Sequence, residues 1–176
     1  MFVRPMADVF ERTEGEVVAI DGKTLRRSFD RADQKAAIHR VNAWASQTGV
    51  SLGQIRTDAD SNQITAVPRL LSLLELSGCL VTLDAMGCQR EIAAQIVDKG
   101  ADYVLPVKGN QPHLFAEVQS ALDEALTSNF AGVEVHDVAS TEETGHGRQE
   151  KRELWCMQRP ATVDPEGRWA GRAPSP

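Results

Sequence analysis

The sequence predicts an α/β fold: a mixed sheet of three antiparallel strands followed by parallel strands, with helices flanking it. Three observations predict this. The first is a pair of short apolar runs, Val17 to Ile20 and Leu80 to Leu83. Each is too brief for a helix and reads as a buried strand, and each delivers an aspartate, Asp21 or Asp84. The second is an alternating stretch, Ile38 to Ala45, joined through Gln47-Thr48-Gly49 to Val50–Thr57 in the manner of a hairpin. The third is the order after Leu83. Ile92, Ala93, Ile96 and Val97 recur at helical spacing, Gly100 suits a left-handed stop, and Tyr103 to Val107 is a further apolar run. A strand–helix–strand unit of this kind gives parallel neighbours, and open α/β sheets hold ligands at the carboxyl ends of such strands.

Along the chain, residues 1–16 are mixed and charged, without a period, and read as a lead-in. After the first strand, Asp21-Gly22-Lys23 is a turn signal, and basic residues gather at Lys23, Arg26 and Arg27 before a polar loop. In the alternating stretch, His39, Val41, Ala43 and Ala45 share one face; Ile38, Arg40, Asn42 and Trp44 share the other. Asp58 to Asn62 is a polar loop. A helix is expected from near Thr65, with Pro68 in its first turn, where a missing N–H is tolerated. Leu70, Leu71 and Leu74 form its buried face and Ser77-Gly78 ends it. Lys108-Gly109-Asn110 reads as a turn, with Asn110 capping a helix whose stripe is Leu114, Phe115, Val118, Ala121, Leu122 and Ala125. Later, TEETGHGRQEKRELW runs from a loop into a strand around Arg148 to Met157, and the tail from Arg159 has no period.

The 176 residues suffice for one domain with a real core, and 41% hydrophobic with 25% charged residues argues against wholesale disorder. No apolar run approaches the roughly 20 residues of a membrane span, and no stretch at the amino end reads as a signal peptide, so no membrane association is expected. Cys79, Cys88 and Cys156 lack C-x-x-C spacing and read as free thiols of a reducing cytoplasm. The four histidines include no H-x-x-x-H pair, which argues against a zinc site. The net charge of -6 runs against a nucleic-acid partner, which usually leaves a basic footprint.

Three antiparallel strands, then helix, strand, helix, strand and helix, is the RNase H-like plan, in which the first and fourth strands are neighbours. Carboxylates at the ends of strands about 4.8 Å apart can share hard cations. Such a pair activates a water or a 3′-hydroxyl for phosphodiester cleavage, and oxygen ligands suit Mg²⁺ or Mn²⁺ rather than Zn²⁺. Each aspartate has an equally simple second reading, as the cap of the turn or helix that follows it.

VVAIDGKTLRRS, SNQITAVPRLL, LVTLDAMGCQREIA, GADYVLPVKGNQ and GHGRQEKR resemble, in this order, the DDE-type insertion-sequence transposases of the H-repeat-associated branch. The resemblance extends from about Val17 to Trp155. It implies a bacterial, nucleoid-associated enzyme that cuts its element's DNA ends and joins them to target DNA, with Asp21 and Asp84 as the first two catalytic, metal-binding acids. It further implies residues 17–126 as a partial RNase H-like core, 127–158 as the start of an incomplete β-rich insertion, and 159–176 as an irregular tail.

The family's third acid is a glutamate on a later helix, in a tryptophan-containing segment that nothing after Trp155 resembles. Glu150, in HGRQEKR, is the substitute within this chain. Lys23, Arg26, Arg27, Lys108 and Arg148 flank the expected site and are candidate phosphate contacts. The expectation is a truncated copy that retains two of three acids, with strand transfer impaired or absent and an uncovered sheet that favours self-association. A non-enzymatic DNA-binding or interaction remnant and a stand-alone RNase H-like nuclease are the alternatives.

Overall fold

A computed structural model describes residues 2–3, 15–24, 39–57, 63–145 and 148–171. The chain divides into two compact units, Met1–Gln111 with Arg168–Pro176, and Pro112–Gly167. The first unit is built on a six-stranded sheet: β1 (Phe2–Val3), β2 (Val17–Thr24), β3 (His39–Ala45), β4 (Val50–Thr57), β5 (Leu80–Thr82) and β6 (Asp102–Val104), in the order β1-β4-β3-β2-β5-β6. Pairing is antiparallel from β1 to β2 and parallel across β2–β5 and β5–β6. The fold is thus the mixed α/β sheet that the sequence predicts, with β2 and β5 side by side.

Alternation along the strands divides the sheet into two faces. Val18, Ile20, Val41, Ala43, Ile55 and Val81 point into the core. There they meet helices α1 (Gln63–Ser72) and α2 (Arg90–Asp98) through Leu70, Leu71, Ile92 and Ile96, all nearly or fully buried. Gln95 Nε2 donates to the Pro68 carbonyl at 2.9 Å and so ties α2 to α1. The opposite face carries Ala19 and Thr82, with Trp44 and Val104 exposed beside them.

Several boundaries differ from the sequence reading. Asp21-Gly22-Lys23 is not a turn: β2 continues to Thr24 because β3 pairs with it as far as Thr24↔His39. Within the lead-in, Phe2 and Val3 pair with Gln54 and Gly53 as an edge strand too short to show a period. Pro68 lies inside α1, which begins at Gln63, rather than in its first turn, and its ring deprives the Ile64 carbonyl of a helical donor. The strand expected over Tyr103–Val107 stops at Val104, since Pro106 offers no N–H and restricts Leu105.

In the second unit, α3 (Pro112–Thr127) begins with proline at its first position, where that residue is favoured. TEETG is strand rather than loop. It ends β7 (Val135–Gly145), which pairs antiparallel with β8 (Arg148–Met157). Apart from Trp155 and the end residues, whose neighbours partly cover them, the hairpin is largely exposed on both faces, so no apolar alternation marks it. Phe130 and Trp155 stack at 5.9 Å between ring centroids.

One buried charged residue braces the first unit. Glu16 is 1% exposed, and its carboxylate accepts the backbone N–H of Gln47 and, at 3.1 Å, that of Thr48. The β3–β4 turn is thereby held to the start of β2. Truncation by Glu16→Ala leaves two amide donors without their acceptor, at an expected cost of about 1–3 kcal/mol. Urea denaturation of the two proteins measures this, and an unchanged midpoint would remove the brace from the account.

Candidate active site

Strand register sets the two sequence-predicted aspartates at equivalent positions along neighbouring strands. The parallel ladder of β2 and β5 pairs Val17 with Leu80, Val18 with Val81 and Ala19 with Thr82. Asp21 and Asp84 each follow the last pair by two residues, so both fall on the face that carries Ala19 and Thr82. Both are exposed. Asp21 stands within β2 opposite Asn42, at the point where β2 loses its parallel neighbour and keeps its antiparallel one.

Asp84 also caps. Its backbone is extended (φ -75, ψ 177), and Oδ1 accepts the N–H of Met86 at 3.1 Å and of Gly87 at 3.2 Å. The capped element is a single turn of 3₁₀ helix, Ala85–Gly87. Among the described residues no hydrogen bond or ion pair reaches Asp84 Oδ2. The capping reading and the metal-ligand reading therefore concern different oxygens of one carboxylate.

Three further residues shape this turn. A Cβ at Gly87 would lie 2.6 Å from Leu83 Cδ2 and 2.7 Å from Leu83 Cβ, so only glycine permits the close approach. Asn110 Nδ2 donates to the Ala85 carbonyl at 2.6 Å, and Gln111 Nε2 donates to the Cys88 carbonyl at 2.8 Å. Asn110 thus clamps the Asp84 turn and does not cap α3, as the sequence reading expected. Asp-x-x-Gly was the available signal for Gly87; nothing local reveals the partners of Asn110 and Gln111, 25 and 23 residues away.

A pocket on the helix-covered face is lined by Ile20, Gly22, Val67, Leu83 and Asp84 among others, and not by Asp21. Its apolar lining belongs to the core rather than to the carboxylate pair. Burial pushes the Cys88 thiol pKa up, which disfavours thiolate chemistry next to the turn.

The remaining candidates are dispersed. Lys23 lies in β2 opposite Arg40, and Lys108 is exposed in the segment after β6. Arg148 opens β8 opposite Gly145. Arg26 and Arg27 lie outside the described residues. Glu150 is in β8 of the second unit, with Oε1 2.9 Å from Arg152 Nη2. Among the described residues no group of three His, Cys, Asp or Glu is arranged to hold a metal ion. The carboxylate oxygens of Asp21 and Asp84 are the right chemistry for a hard divalent cation, as a pair rather than a full ligand set.

Residues 12–154 match the family described as Transposase DDE domain. YncI of Escherichia coli strain K12, whose name places it among transposases, is 50% identical over 152 residues, which is 86% of this chain and 60% of that protein. The H repeat-associated YhhI of the same strain is 38% identical over 171 residues, 97% of this chain and 44% of the relative. The H repeat-associated YbfD is 40% identical over 151 residues, 86% and 58% of the two chains. The chain spans between 43% and 60% of the length of the curated relatives it matches. Among solved structures, a piggyBac transposase synaptic complex with hairpin DNA aligns at a TM-score of 0.41 and 17% identity. That alignment covers 56% of this chain and 24% of the other, too partial a likeness to carry an argument.

The two roles of Asp84 are separable by substitution. Asp84→Ala removes the cap and should cost about 1 kcal/mol, whereas Asp84→Asn keeps an acceptor at Oδ1 and should stay within about 0.5 kcal/mol of the parent. Thermal unfolding of both variants decides, and equal destabilisation would mean that the cap needs the charge. Gly87→Ala should cost about 1–3 kcal/mol by overpacking against Leu83, read in the same melts.

Proposed function

This chain belongs to the Transposase DDE domain family, in its H repeat-associated branch, and from that premise we propose that it is the strand-cutting core of a DNA transposase. Asp21 and Asp84 are its metal-binding catalytic acids. The family uses divalent metal ions, and DNA is the proposed partner, as transposon ends and target. The observation that carries the assignment is the shared register of β2 and β5, which brings two carboxylates to one face at neighbouring strand positions.

Asp21 and the outer oxygen of Asp84 would hold Mg²⁺ or Mn²⁺. When bound, the cation supplies activation of a water or 3′-hydroxyl and neutralises charge on the phosphodiester. The protein's own contribution is orientation. Asp84 is fixed by two amide bonds to Oδ1, Gly87 admits the tight turn beneath it, and Asn110 and Gln111 hold that turn from outside. Two adjacent carboxylates repel a phosphate at their own position, and a cation in place removes that local repulsion. Asp21 and Asp84 by themselves would hold a second metal weakly, so these residues alone should give little or no strand transfer. The non-enzymatic alternative predicts no metal binding by either aspartate.

Mn²⁺ titration followed by electron paramagnetic resonance, alongside plasmid nicking in Mg²⁺ or Mn²⁺, tests the assignment. Binding should be lost in both Asp21→Asn and Asp84→Asn, with nicking at or near background in every form. Mn²⁺ binding unaffected by either substitution would refute the pair. Strong nicking that both substitutions abolish would instead show a complete site, with a third acid such as Glu150 contributing.

A further inference from the structure

We propose that Arg40 and Arg56 form a phosphate-binding rung for duplex DNA beside the carboxylate pair, an inference that rests on the DNA reading above. On the open face the residues stand in rungs across the strands. The rung of Asp21 continues through Asn42 to Gln54. The next rung on that face, two residues further, is Arg40 opposite Arg56. Two neighbouring strands thus bring arginines to one level, although the chain as a whole carries a net charge of -6.

This arrangement works against the fold. Like charges directly opposite on neighbouring strands repel and destabilise the pair. Among the described residues no carboxylate pairs with Arg40 or Arg56. Arg40 is half-buried and Arg56 exposed. In the amide orientation that satisfies both groups, the Gln54 side-chain oxygen accepts from Arg40 Nε at 3.0 Å and from Nη1 at 2.7 Å. That bond orients the guanidinium and leaves its charge uncompensated. An anion bridging the two guanidiniums would turn the repulsion into attraction, and arginine's fork matches phosphate geometry.

The distance fits DNA. Two residues along a strand span roughly 6.8 Å and the two strand spacings between the pairs roughly 9.6 Å, so the rung lies about 12 Å from the carboxylate pair. About three to four nucleotides cover that distance at about 3.4 Å of rise. Neither Arg40 nor Arg56 stands out in the sequence, since the two are sixteen residues apart and meet only through the register of β3 with β4.

The test is the salt dependence of affinity for a labelled random-sequence DNA duplex, measured by fluorescence anisotropy with the metal chelated. Arg40→Gln and Arg56→Gln should each weaken binding and reduce the slope of log K against log salt by about 0.9. Arg56→Lys should keep the slope, and so should Arg69→Gln, a control on α1 at the helix-covered face. Because Arg56 is exposed and pairs with no carboxylate among the described residues, its variant tests the rung even if Arg40→Gln disturbs the sheet. Slopes equal to the parent's in Arg56→Gln would overturn the rung and leave the DNA reading standing. A parent chain that binds no duplex at all would overturn both.

Discussion

The parallel ladder between β2 and β5 is three residue pairs long, and the site depends on it. Its brevity matters. Beyond Ala19 and Thr82 the two strands separate: β2 stays with β3 to Thr24, whereas β5 gives way to the 3₁₀ turn. That separation leaves room for side chains and ligands where a longer ladder would have continued backbone pairing. It is the usual place for a site in an open α/β sheet. The ladder also fixes parity: a slip of one residue in either strand would send one aspartate into the core and keep the other outside.

Packing enforces the register. Val18 and Ile20 alternate with Ala19 and Asp21, as Val81 and Leu83 alternate with Thr82 and Asp84. Burying the apolar set against α1 and α2 therefore exposes the carboxylates on the other face. Glu16 adds a second constraint at the opposite end of β2, where it holds the β3–β4 turn, and the Leu80 N–H bonds to the Glu16 carbonyl at 2.9 Å. The exposure of the two aspartates is thus a by-product of core formation.

Asp84 caps with one oxygen only. A cap requires one acceptor aimed at the following amides, and the proposed cation requires a second carboxylate oxygen; a single carboxylate has both. Fixing Oδ1 reduces the conformational freedom that metal binding would otherwise have to remove. The clamp from Asn110 and Gln111 serves the same end from the loop after β6. One level along the sheet, Arg40 stands opposite Arg56, so under the two proposals the face would take a cation at one level and an anion at the next.

Much of this was legible in the sequence, because the determining signals are local. Short apolar runs, helical stripes and the aspartate after each run depend on residues within a turn or a strand of one another. They specify the α/β class, the strand order and an aspartate just past each of two apolar runs; the family motifs add the likeness to transposases. Tertiary structure decided what depends on distant partners. The extension of β2 past Asp-Gly-Lys comes from pairing with β3, which overrides the turn preference. The hairpin of β7 and β8 has both faces largely in solvent and so writes no alternation into the chain. The partners of Asn110 and the rung of Arg40 with Arg56 arise from register alone, a property of two strands together that neither strand encodes by itself.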